Sequence, residues 1–345
     1  MSAPSTKSPT VALDWGTSNL RAFLIAPDGS VRDQRVRPWG ILRLPEPIGD
    51  PRSTPRTTQY DAALAGIAGD WLATWPTAWL LACGMVGSRQ GWREARYLPV
   101  PADPAEIAAA AVDVTTATDR VLRILPGLSQ GSRASQPGGR QSPPPDVMRG
   151  EETQVVGALG RQPGLADDAW LVLPGTHSKW VRVVAGRITG FATHLTGELF
   201  DVLGRHTILS QSISAPVAVA GQVPAGGQND EVRGFAIGVG LAAEGENSLS
   251  NLLFGIRART LLEDCSPVTA RGLLSGILVG HEINVAVPAV RRTASPVVLI
   301  GEPALCERYR NALALVGMTV AAVMDNTAAD GMFRFALELD AARTD

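Results

Sequence analysis

Cysteine is scarce: Cys83, Cys265 and Cys306 are the only three in 345 residues, each in or near an apolar stretch, and no CxxC spacing occurs. That excludes a disulfide framework and a thiolate metal cluster, and the three read as reduced thiols. The four histidines, His177, His194, His206 and His281, show no HExxH or other metal-ligand spacing, so a zinc enzyme is not expected. Positive charge is not in excess, since 31 Lys and Arg stand against 33 Asp and Glu for a net charge of −2. Nucleic-acid and membrane surfaces usually carry a basic excess, so neither partner is expected. Long apolar runs are missing too: Ala78–Cys83 is among the longest, and MSAPSTKSPT at the N-terminus lacks the apolar stretch of a secretory signal. We therefore expect a cytoplasmic protein. No GxxxxGK[ST] occurs, which excludes a Walker-type phosphate loop, and no GxSxG elbow occurs. Gly238-Val239-Gly240 lacks the third glycine of a dinucleotide fingerprint.

What the chain does contain is a stretch written as a phosphate-binding hairpin, Thr10 to Ile25 (TVALDWGTSNLRAFLI). Two apolar strand signals flank Gly16, Thr17, Ser18 and Asn19, whose backbone N–H groups and hydroxyls can line a concavity for an anion. Asp14 ends the first strand beside it. A carboxylate next to a phosphate is repulsive without an intervening cation, so Asp14 is the candidate Mg²⁺ ligand, directly or through water. An ordinary hairpin whose Asp caps the turn is the competing reading.

The same pattern returns at Trp170 to Val184 (WLVLPGTHSKWVRVV), where Gly175 and Thr176 answer Gly16 and Thr17. Each hairpin is followed by a further turn and strand. A repeat spaced by about half the chain predicts a duplicated fold with two facing phosphate hairpins and a nucleotide cleft. Within the second hairpin His177, Ser178 and Lys179 are candidate phosphate contacts, with turn packing as the alternative for His177 and an exposed strand start for Lys179.

Between the hairpins, Trp79 to Cys83 reads as a buried strand ending in Gly84, Ser88, Arg89, Trp92 and Arg93, a combination suited to gripping a small acid. A glycine-rich turn with solvated arginines is the alternative. Gly127 to Pro145 has no apolar pattern, which predicts a mobile loop without function. Arg149, Gly150, Glu151, Glu152 and Thr153 then open a helix joining the two halves. Carboxylates at a helix start are favoured by its dipole, yet one of this pair can also take a proton from a substrate hydroxyl as it attacks phosphorus. Glu151 is preferred over Glu152. Thr196 is expected to cap a helix, Gly221 to Val232 to be loop, and Gly234 to Leu253 and Leu273 to Ile283 to be helical. Val297 to Ile300, Gly301 and the helix from Ala304 form a strand, glycine and helix that can lie flat against a nucleoside.

These features resemble the actin, hexokinase and Hsp70 superfamily of ATP-using proteins. The strings DWGTSNLRAFL, ACGMVGSRQGW, DVMRGEETQVVG, LPGTHSKWV, THLTGELFDVL and LIGEPAL resemble, nearly end to end, the 2-dehydro-3-deoxygalactonokinase family. The resemblance implies an α/β fold of duplicated ribonuclease-H-like, actin-like ATPase domains, each a mixed five-stranded sheet flanked by helices, with an ATP cleft between the lobes. Residues 1–155 form the expected N-terminal lobe, with the first hairpin, the sugar-acid site and the linking helix. Residues 156–345 form the C-terminal lobe, with the second hairpin and the adenosine site, its last helix packing back at the lobe interface.

The implied reaction is transfer of the ATP γ-phosphoryl group, with Mg²⁺, to the 6-hydroxyl of 2-dehydro-3-deoxy-D-galactonate in galactonate breakdown. Carried over by position, Asp14 serves Mg²⁺, Gly16 to Asn19 and Gly175 to Ser178 the phosphates, and Gly301 the adenosine. Arg89 and Arg93, then Arg149, are assigned to the sugar acid. The MRGEET segment is similar to the glutamate pair of superfamily exopolyphosphatases, which supports Glu151. Many superfamily members carry an acidic residue where this chain has Leu173 and Pro174, so metal binding is expected to rest on Asp14 alone. The competing functions are a phosphoanhydride hydrolase, a non-catalytic ATP-binding protein, and a kinase for the gluconate epimer. The expected partners are the sugar acid and ATP, with a homodimer as the assembly considered.

Overall fold

A computed structural model describes residues 5–46, 55–131, 145–213, 227–263 and 265–343. The first hairpin is β1 (Thr10–Trp15) and β2 (Leu20–Ile25), continued by β3 (Val31–Arg37). Then follow α1 (Arg56–Thr74), β4 (Trp79–Gly84), β5 (Leu98–Pro99), α2 (Pro104–Ala109), β6 (Val112–Thr115) and β7 (Val121–Ile124). Short strands β8 (Leu128–Gln130) and β9 (Asp146–Met148) lead into α3 (Glu151–Arg161). The second hairpin is β10 (Asp168–Leu173) and β11 (Ser178–Val184), continued by β12 (Arg187–His194). A helical stretch of α4 (Thr196–His206), α5 (Ser210–Ile213), α6 (Gly227–Ala243), α7 (Leu249–Leu262) and α8 (Pro267–Thr293) separates it from β13 (Val297–Ile300), α9 (Pro303–Leu315), β14 (Ala322–Met324) and α10 (Ala328–Ala341).

Strand order makes the duplication explicit. One sheet runs β3-β2-β1-β4-β7-β6 and another β12-β11-β10-β13-β14. In the first, β1 to β3 pair antiparallel while β4 and β7 return parallel to β1; in the second, β13 and β14 likewise return parallel to β10. A three-stranded meander followed by two parallel crossovers, made twice, is the ribonuclease-H-like arrangement of actin-like ATPases. The first sheet has six strands rather than the expected five, because Val112–Thr115 adds antiparallel to β7. Only Val114 of that strand is buried, so its sequence carries little strand pattern.

By contacts the chain divides into two compact units: Met1–Asp168, Val181–Phe191 and Asn326–Asp345 form one, Ala169–Trp180 and Ala192–Asp325 the other. A boundary at 155/156 falls inside α3, and α10 belongs to the first unit. The reason is backbone contact between those two helices. A Cβ on Gly157 would lie 2.0 Å from Thr327 O, and one on Gly331 1.9 Å from Thr153 O. The Thr327 hydroxyl also donates to Gln154 O at 2.6 Å.

The first unit's core gathers the inner faces of β1, β2 and β4 against α1. In it Trp15 and Tyr60 meet edge to face at 5.3 Å, and Trp92 stacks on Tyr60 at 5.4 Å. Fully buried aromatics of this size contribute about 1.5–3 kcal/mol each by burial; Trp92, only partly buried, packs against this cluster.

In the second unit α6 and α8 lie backbone to backbone along glycines: a Cβ on Gly272 would be 2.2 Å from Glu231 O, one on Gly276 2.1 Å from Phe235 O, and one on Gly238 2.6 Å from Leu273 O. Gly238 is thus a packing residue. Helix α6 begins at Gly227, so residues 227–232 are helical rather than loop, while 221–226 lie outside the described residues. Helix α8, at 27 residues, is long and apolar enough by length and composition to cross a membrane, contrary to the sequence expectation; 67% of its most apolar window is buried, as in a core helix. In the segment expected to be loop, Leu128–Gln130 is β8, paired with β5 and β9, and residues 132–144 lie outside the described residues.

Candidate active site

The chemistry-bearing groups of the first unit meet at the C-terminal ends of two parallel strands. Asp14 pairs in register with Cys83, and Trp15 with Gly84, across β1 and β4. Gly84 adopts φ +87°, and a Cβ there would stand 2.9 Å from Trp15 O. Gly150, immediately before α3, adopts φ +108°, and its Cβ would reach Gly84 Cα at 3.4 Å. Both conformations favour glycine, and together they bring the start of α3 onto the ends of β1 and β4.

Asp14 is largely buried, with its side chain 19% exposed, and its Oδ2 accepts from Arg21 Nη1 at 3.0 Å. Burial pushes its carboxyl up, Arg21 pulls it down, and the charge of Glu151 pushes it up again. Asp14 therefore lies within reach of the Glu151 charge. Glu151 is partly exposed, and its Oε2 accepts the Arg149 N–H at 3.0 Å. Glu152 is fully buried, both its oxygens accepting the Gly150 N–H at 2.9 and 2.8 Å. Burial, then the neighbouring Glu151 charge, drives the Glu152 carboxyl up to about 8. The pair is thus divided: one carboxylate can meet a ligand and the other is sealed in.

In the first hairpin Gly16 N–H closes the turn onto Asn19 O at 2.9 Å. Residues 40–42 run along it, with N–H donors on the carbonyls of Ser18, Gly16 and Thr17 at 3.0, 3.0 and 3.1 Å. Thr17, Ser18 and Asn19 remain exposed, as an anion-binding turn requires.

The arginines are ordered otherwise than expected. Arg89 is 88% exposed and paired with Glu94 at 3.1 Å, and Arg93 is exposed. Arg149 instead lies over the Tyr97 ring at 4.3 Å and donates from Nη2 to Ala95 O at 2.8 Å. Its Nε and Nη1, like Ser88 Oγ, are buried without a hydrogen-bond partner. Leaving such donors unmatched costs about 1–3 kcal/mol each.

The second unit carries a cavity of about 600 Å³. The second hairpin forms one side, through Gly175 and Thr176; Thr196, Gly197 and Phe200 of α4, Arg271 and Ser275 of α8, and Glu302 and Arg308 at α9 enclose it. Gly301, at φ +144°, directly follows β13, where a Cβ would lie 3.7 Å from Pro174 O on this wall. Glu302 caps α9 by accepting from Ala304 N and Leu305 N at 3.1 and 2.8 Å. Arg308 donates to Glu231 at 2.6 Å and Ser275 at 3.2 Å, and Arg271 stands over Phe200 at 5.0 Å. Helix α4 holds the hairpin: Glu198 N–H donates to Thr176 O at 3.0 Å, and His177 Nε2 meets Glu198 Oε2 at 2.5 Å.

Two expected phosphate contacts turn inward. Ser178 is fully buried against Tyr309 OH at 2.7 Å, and Lys179 is 3% exposed with its Nζ on His177 O at 3.2 Å. Both belong to β11, which starts at Ser178 and is buried at its first four residues. Thr196 does not cap α4, whose cap is Leu195; its hydroxyl donates to Glu282. The α4 and α8 contributions to the cavity were missed by sequence reasoning, and apart from the polar residues Arg271 and Ser275 inside an apolar helix nothing local signals them.

A family model described as 2-keto-3-deoxy-galactonokinase matches residues 14–335. The chain belongs to that family. The kinase is 41% identical over 314 residues, 90% of its own length and 91% of the other's, to the protein named probable 2-dehydro-3-deoxygalactonokinase DgoK1 of Rhizobium meliloti (strain 1021). It is 32% identical over 320 residues to the 2-dehydro-3-deoxygalactonokinase of Escherichia coli (strain K12), covering 92% of this chain and 94% of that one. A crystal structure described as a 2-dehydro-3-deoxygalactonokinase protein from Sinorhizobium meliloti superposes with a TM-score of 0.73 at 37% identity, covering 97% of this kinase and 99% of that chain. The enzyme is accordingly an ATP-using kinase of a small sugar acid.

Proposed function

We propose that the enzyme transfers the γ-phosphoryl group of ATP to the 6-hydroxyl of 2-dehydro-3-deoxy-D-galactonate, giving the 6-phospho acid and ADP, in the cytoplasm. The reading is carried by the partly exposed Glu151 set beside Asp14 at the strand ends, with Glu152 sealed beneath. Glu151 takes the hydroxyl proton as the oxygen attacks phosphorus; ADP leaves with the displaced bond's electrons. Phosphoryl transfer asks little covalent chemistry of the protein, so positioning and charge dominate. Exposed hydroxyls of Thr17 and Ser18 and the Gly175-Thr176 turn serve the phosphates, and the second unit's cavity serves the adenosine. The unpaired cysteines accord with a reducing compartment.

Mg²⁺, when bound, neutralises phosphate oxygens. Among the described residues no group of three His, Cys, Asp or Glu forms a metal cage, so any protein ligation of the ion would rest on Asp14, the carboxylate at the strand end beside the exposed turn. Asp14, whose Oδ2 also accepts from Arg21, would hold it.

For the substrate carboxylate Arg149 replaces Arg89 as first choice, because its unmatched donors call for an acceptor while Arg89 has Glu94. Arg149→Met is expected to raise KM for the sugar acid by about tenfold or more with KM for ATP little changed, and Arg89→Ala to shift neither beyond about twofold. Steady-state kinetics of both variants decide; the opposite ranking would return the role to Arg89. The activity itself is tested by ADP release from ATP and Mg²⁺ with the galactonate compound, with its gluconate epimer, and with no acid. Release that requires the galactonate compound supports the proposal, preference for the epimer replaces its substrate, and equal release without acid means a hydrolase.

A further inference from the structure

Beneath the wall of the second unit's cavity lies a carboxylate that the transfer step leaves unused. Glu282, on α8, is 2% exposed. Its Oε1 accepts the Trp180 indole N–H at 2.7 Å, and its Oε2 accepts the Tyr309 hydroxyl at 2.7 Å together with that of Thr196. Tyr309 OH in turn meets Ser178 Oγ at 2.7 Å; since the tyrosine proton goes to Glu282, the serine is the donor there. Among the described residues no cation pairs with Glu282. One buried anion therefore gathers donors from β11, α4 and α9.

Such an arrangement is expensive for packing alone. A buried carboxylate held only by neutral donors forgoes the solvation that an apolar side chain of similar volume never needs. What the anion supplies is direction: with acceptors only, it fixes which way each of three hydroxyl and indole protons points. Two of those donors, Thr196 and Tyr309, line the cavity. The third donor, Trp180, and Ser178, which is reached through Tyr309, lie within three residues of the Gly175-Thr176-His177 turn in the sequence. The anion thus sets the phosphate turn, the start of α4 and the inner face of α9 by one shared set of bonds.

We propose that Glu282 is a positioning residue for ATP, holding the second hairpin and the mouth of α4 in the geometry the nucleotide requires; this rests on the reading of the cavity as the adenosine site. Glu282→Gln keeps the shape but turns an amide N–H₂ toward donors. It should raise KM for ATP by about tenfold, leave KM for the sugar acid within about twofold, and be matched in part by Tyr309→Phe. In the double variant Glu282→Gln/Tyr309→Phe the rise should not exceed that of Glu282→Gln alone, because the tyrosine acts through the same carboxylate.

Ala304→Trp, at an exposed position on the cavity rim, provides the control by obstructing the cavity directly. If Ala304→Trp raises KM for ATP while Glu282→Gln changes only thermal stability, the role of Glu282 is structural and the inference falls by itself. If neither variant changes KM for ATP, the adenosine lies elsewhere and both readings fall. Should Glu282→Gln not fold, Thr196→Val and Tyr309→Phe carry the same test, an unchanged KM for ATP in both overturning the inference.

Discussion

Glu151→Gln is expected to lower kcat by a factor of about 10²–10⁴, the usual contribution of a positioned general base, while ATP binding and the fold are kept. Its side chain sits at the first position of α3, partly exposed, held by the Arg149 N–H. The amide has the same shape and can still accept that bond. Helix α3 forfeits only the interaction of one charge with its N-terminus, typically about 0.3–1 kcal/mol. Loss of stability would therefore be small and loss of rate large. Single-turnover ADP formation, thermal melting and ATP titration on the same preparation separate the two; a rate within about threefold of the parent assigns the proton to another group.

Glu152→Gln should act on stability and in the opposite sense, strengthening the protein at high pH. The Glu152 carboxyl rises from 4.5 to about 8 because burial, helped by the Glu151 charge, outweighs the hydrogen bonds from its own backbone N–H and from that of Gly150 that favour its anion. Between those values the folded protein holds a proton that the unfolded chain releases. Stability is therefore complete below pH 4.5 and lost as pH rises, with the loss finished above about 8. Over the whole window it amounts to on the order of 5 kcal/mol. Glutamine has no proton to lose there. Melting of parent and variant from pH 5 to 9 should give curves that separate steadily upward, the variant ahead at pH 9 by a few kcal/mol. Parallel curves would show that Glu152 titrates normally and that its burial is relieved by water.

Which parts of this were legible beforehand follows from range. The hairpins Thr10–Ile25 and Trp170–Val184 are local objects, each a glycine turn between apolar strands, and both form at the expected residues. The Glu151 and Glu152 pair was visible, but which of them faces out depends on how α3 seats on Gly84, a contact between residues far apart in sequence. Ser178 and Lys179 turn inward for a related reason: nothing local in the sequence shows that Ser178 is buried against Tyr309, 131 positions away. The cavity depends on α4 and α8, whose polar members look like ordinary helix residues until the helices pack. Arg89 and Arg149 differ only in what the fold leaves them to bond.

The position of α10 has a consequence for synthesis. Helix α10 packs on α3, α2 and β1 of the first unit, and Asp340 accepts from Lys7 N at 2.9 Å and from Trp79 Nε1 at 3.2 Å. The unit that holds Asp14 and Glu151 therefore cannot close while the chain is still being translated through residue 325. A message cut short before α10 would yield a polypeptide carrying every proposed catalytic and binding side chain, yet with the strands and the glutamate helix missing one wall. Quality control in the cell would meet that product as an unfinished fold rather than as a slow enzyme.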